Sequence, residues 1–91
     1  MDDYERAVDC AAVMSSKAVV AVRESDPIGE AAVEAARTFV DRTLYEGRKI
    51  GKDEAIVSHD LKAAIGRYIQ PGNKVNSEQL NAGFSRCKRE I

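Results

Sequence analysis

Apolar residues recur along this chain at helical spacing, in four blocks separated by breaks. Tyr4, Val8, Ala11, Ala12, Ala18, Val19 and Val22 follow the three-to-four-residue rhythm of one helix face and predict a first helix over about residues 2–24. Acidic residues in its first turn complement the helix dipole. The run Ala18-Val19-Val20-Ala21-Val22 is β-branched and would also suit a short strand, but no partner strand lies nearby, so helix is the expectation. A break at Ser25-Asp26-Pro27 follows, with Asp26 suited to cap a helix and Pro27 to its first position.

The second predicted helix covers about 27–46. Its stripe is Ile28, Ala32, Val33, Ala36, Phe39, Val40 and Leu44, and Gly47 is its expected stop. The third, about 53–69, carries Val57, Leu61, Ala64, Ile65, Tyr68 and Ile69 on one face. Gln70-Pro71-Gly72-Asn73 ends it. The fourth, about 77–90, starts at Asn76 or Ser77, with Gln79 placed for a capping box if Asn76 is the cap. Leu80, Phe84, Cys87 and Ile91 form its stripe. The pattern predicts a single all-α domain over residues 1–91, a compact bundle or orthogonal array of about four helices, with the first two paired antiparallel.

Composition narrows the core. Apolar residues make up 44% of the 91, but 13 of them are alanine, which buries little area and lets helices approach closely. Cys10 and Cys87 are far apart in sequence and read as free, partly buried thiols, though they would meet if the terminal helices packed together. One His and two isolated Cys give no zinc site, and no cofactor is implied. No segment reaches the roughly 20 apolar residues of a membrane span. The acidic N-terminus lacks the basic region of a signal peptide, which makes the cytoplasm the default location.

The net charge of −1 hides an asymmetry. Residues 1–46 hold ten acids against five bases (−5), and residues 47–91 hold five acids against nine bases (+4). The basic half offers a nucleic-acid reading. Asn81, Ser85, Arg86, Lys88 and Arg89 would lie on a helix entering the major groove, with Lys74 among the residues holding the phosphate backbone. Arg48, Lys49, Lys52, Lys62 and Arg67 would supply backbone contacts. Against it stand the length of the Gln70–Asn76 connection and the modest overall charge. The acidic half offers the opposite. Asp2, Asp3, Glu5 and Asp9, with Glu30, Glu34 and Asp41 on the second helix, would present a negative surface to a basic partner, as inhibitors that imitate DNA do.

Ser58-His59-Asp60-Leu61-Lys62-Ala63-Ala64 resembles the phospho-accepting His box of sensor kinases and the His-x-Leu-Lys pattern of histidine phosphotransfer domains. The resemblance covers about seven residues. It implies His59 as an exposed acceptor with Lys62 assisting. The kinase box would continue into a proline that is absent here, and such domains carry more helix after the His segment. No phosphate loop or nucleophile-base arrangement is present otherwise. The expectation is a non-catalytic regulator or inhibitor that binds a macromolecule, a protein first and nucleic acid second, of the kind mobile genetic elements carry. Alanine-rich helix faces are compatible with a homodimer.

Overall fold

The computed structural model describes residues 2–72 and 74–90. Asn73 and the predicted stripe residue Ile91 lie outside them. Four α-helices carry the fold: α1 (Asp3–Arg23), α2 (Gly29–Lys49), α3 (Glu54–Ile65) and α4 (Ser77–Cys87), the last continued by a short 3-10 turn over Lys88–Glu90. The all-α expectation holds. Residues 18–22 are helical, as favoured. Among the described residues the sole addition is a two-stranded antiparallel hairpin, β1 (Ile69–Gln70) and β2 (Lys74–Val75), paired Ile69 to Val75 and Gln70 to Lys74.

The helix starts follow the sequence closely, because each is a local hydrogen bond. Asp2, Asp53 and Asn76 each accept the backbone N–H three residues on, from Glu5, Ile56 and Gln79 respectively. Asp26 instead holds the turn before α2, where its carboxylate accepts from the Ile28 N–H at 3.0 Å. This delays the helix to Gly29, two residues later than Pro27 suggests.

The helix ends depart further. α2 runs through Gly47 to Lys49. Its stop is Gly51 at φ +79°, with the Lys52 N–H reaching the Gly47 carbonyl and the Gly51 N–H the Arg48 carbonyl, a Schellman closure. Gly47 serves packing instead: a Cβ there would lie 2.9 Å from Val57 Cγ2 and 3.2 Å from a Tyr4 ring carbon. α1 closes the same way, with Ser25 taking the left-handed position at φ +53°. α3 ends at Ile65, four residues before the predicted end. The chain then turns Tyr68 inward and enters the hairpin, where Gly72 takes φ +84° after Pro71.

α1 is the axis of the molecule. α2 returns antiparallel along it, so Gly29 meets Ala21 at one end and Gly47 meets Tyr4 at the other. α3 packs across the N-terminal part of α1, and α4 lies antiparallel against its middle, with Gly83 on Val13 and Cys87 on Cys10. Surrounded on three sides, residues Ala7 through Met14 are all buried. A stripe was expected there, but the helix is buried all round. At the other end the stripe fails in the opposite sense: Val19 is 43% and Val22 66% exposed.

The two cysteines are neither free nor partly exposed. Cys10 and Cys87 are fully buried and joined by a disulfide that closes a span of 77 residues.

Candidate functional site

Three polar or apolar features stand out. The first is a buried ionic cluster. Asp9 sits on the wrapped part of α1 with only 3% of its surface exposed. Its carboxylate accepts hydrogen bonds from the Tyr68 hydroxyl and the Arg86 guanidinium, and Arg67 lies 3.9 Å away. Burial, then the bond to Asp9, raises the Tyr68 pKa. The bond to Asp9 raises that of Arg86. Asp9 also lies beside the disulfide, but sulfurs bonded to each other are not free to hold a metal.

The second feature ties α3 to the start of α1. The Tyr4 hydroxyl donates to Asp60 at 2.6 Å, Lys52 donates to the same oxygen at 3.0 Å, and the Lys52 ammonium lies 4.5 Å from the centre of the Tyr4 ring. These two hydrogen bonds, Tyr4 first, hold the Asp60 carboxyl below its ordinary range. Burial pushes the Tyr4 phenol up.

The third is the open end of the α1–α2 hairpin, where the two helices leave a cleft on either side. One is a shallow depression lined by Val22, Pro27 and Val33 with Asp26, Glu30, Glu34 and Arg37. The other is a smaller, more enclosed groove of about 200 Å³ between α1, α2 and Phe84.

These placements reshape the sequence candidates. The acidic set does not form one surface. Asp2, Asp3 and Glu5 stand at the start of α1, while Glu30 and Glu34 stand near the hairpin turn, about 20–30 Å away along a helix of 21 residues. Asp2 is occupied as a helix cap. Asp9 leaves the acidic surface altogether, because it is buried and paired. Of the basic set, Lys74, Ser85, Lys88 and Arg89 are exposed. Arg86 is bound to Asp9, and the Asn81 side chain accepts from Lys17 at 3.3 Å. His59 and Lys62 are both exposed on α3, as the His-box resemblance requires, and the neighbouring Asp60 is turned away into its bonds with Tyr4 and Lys52.

Sequence reasoning missed the exposed Val19, Val22 and Ile28, because their spacing matches core positions. It also missed the Asp9–Tyr68–Arg86 cluster. A signal for that one existed: Asp9 interrupts a continuous run of apolar and small residues, the mark of a helix buried on every side. No helix of the described residues is long and apolar enough to cross a membrane. No protein family, curated protein or solved structure matches the chain.

Proposed function

We propose that this chain is a non-catalytic helical module that regulates or inhibits a protein by binding it, and that it binds through the acidic cleft at the hairpin end. The observation that supports this reading is Val22, 66% exposed and lining one cleft with Val33, Glu30 and Glu34. An apolar centre rimmed by carboxylates suits a partner segment with an apolar anchor flanked by Lys or Arg. The rest of the chain acts as the scaffold: the disulfide and the Asp9 cluster stiffen the opposite end. The disulfide also weighs on location. It favours a compartment where thiols oxidise over the cytoplasm expected from sequence.

A second reading, nucleic-acid binding, draws on Ser85, Lys88 and Arg89, exposed at the end of α4, with Lys74 on β2. One experiment weighs both. The protein, Glu30→Lys/Glu34→Lys, Val22→Asp and Lys88→Gln/Arg89→Gln serve as baits for capture, and each is titrated against a labelled DNA duplex at two salt concentrations. A captured protein lost with the cleft variants and kept with the α4 variant supports the proposal. Duplex binding that weakens steeply with salt and disappears with Lys88→Gln/Arg89→Gln replaces it with the second reading.

A further inference from the structure

The groove on the other side of the hairpin carries an inference of its own. Its walls are Met14, Val20 and Ala21 of α1 and Ile28, Ala31 and Ala35 of α2, closed at one end by Phe84. α4 packs mainly against α1, and on the α2 wall of the groove Ile28 and Ala31 remain exposed. Alanines on both walls keep the groove open and allow another helix backbone to come close.

Its charges are arranged end to end. Lys17 stands at the α4 end, its ammonium 5.0 Å from the centre of the Phe84 ring. Glu24 stands at the turn end, with Asp26 beside it. Lys17 and Glu24 are seven residues apart, two helical turns or about 10 Å, with Val20 and Ala21 between them.

That order is self-complementary. In a two-fold interface, whatever residue i contacts on its partner is contacted in return. A two-fold axis beside the half-buried Val20 sets two such grooves antiparallel. Lys17 of each copy then faces Glu24 of the other, and the apolar stretches meet in the middle. A uniformly basic or acidic segment would satisfy one end of the groove and be repelled at the other. We infer that this groove is a homodimer interface, occupied by a second copy of the chain. It shares only Asp26 and Ala31 with the proposed partner cleft, so the two sites stand or fall separately.

Sedimentation velocity over a concentration series tests it. The intact chain is expected to move from monomer to dimer as concentration rises. Lys17→Glu and Glu24→Lys each place like charges together and should weaken the dimer at least about tenfold. Mixed in equal amounts, the two variants should form a heterodimer, since each carries the sign the other has lost. Lys17→Glu also gives up the Asn81 contact, so Ile28→Ser, at an exposed position of this groove that lies outside the partner cleft, serves as an independent disruption. A chain that stays monomeric up to about 1 mM, variants that dimerise like the parent, or a mixture that stays monomeric would each overturn the inference.

Discussion

The two ends of α1 are built from the same residues and meet opposite fates. From Ala7 to Met14 every side chain is buried, including a carboxylate and half of a disulfide. From Val19 to Arg23, in a stretch just as rich in alanine and valine, only Ala21 is buried. The helix is continuous across both. The difference lies in the neighbours: α3 and α4 both stack on the first part, while toward the second α4 extends the Phe84 ring at one end of the groove. Burial is therefore a property of the packing around a residue, and an apolar residue without a neighbour becomes surface open to a partner.

The contrast makes the closed end costly to disturb. Replacing Cys87 by Ser, or reducing the disulfide, should produce the largest loss. A closed span of 77 residues corresponds to roughly 4–5 kcal/mol of chain entropy. In a domain of this size that is a fall of about 20 °C or more in melting temperature, read by circular dichroism with and without reductant. A drop of only a few degrees would mean that packing alone holds α4 in place.

Arg86→Ala should come next, at about 3 kcal/mol, because it strips the main cation from a buried carboxylate. Asp9→Ala should cost less. The Arg86 side chain is 56% exposed and can turn to water, whereas Asp9 cannot. Urea titrations of both variants measure the asymmetry, and equal losses would show that Asp9 reaches solvent when unpaired.

The link between α1 and α3 predicts a small acid dependence, held below about 1 kcal/mol by solvent screening of the Asp60 carboxylate. The Asp60 carboxyl is held below its unfolded value of about 3.9, so its contribution is present above that pH and is lost as pH falls through the lower folded value. Tyr4→Phe removes the larger of the two hydrogen bonds and should flatten the acid limb of a plot of melting temperature against pH. An unchanged limb would assign acid sensitivity to other carboxylates.

At the open end, Val22→Ser should change stability by no more than about 0.5 kcal/mol, since the side chain is already mostly in water. A larger loss in urea titration would mean that Val22 is covered in solution and would bring the two ends of α1 closer in character.

The sequence by itself determined the class of fold, the number of helices and where three of them begin. Those features are local: a capping side chain and its N–H lie three residues apart, and helical periodicity needs no distant partner. It also placed His59, Glu30, Glu34, Lys88 and Arg89 on the surface. Tertiary structure alone decided the rest. Gly47 reads as a stop and is a packing residue because α3 brings Val57 against it. Tyr68 reads as the last turn of a helix and instead turns inward to Asp9. Cys10 finds Cys87, and Asp9 finds Arg86, across more than 70 residues of chain. Val22 matches the core pattern and remains exposed. Periodicity says which side chains share a face. Which faces are covered depends on how the helices dock, and that is set by contacts between residues distant in the chain.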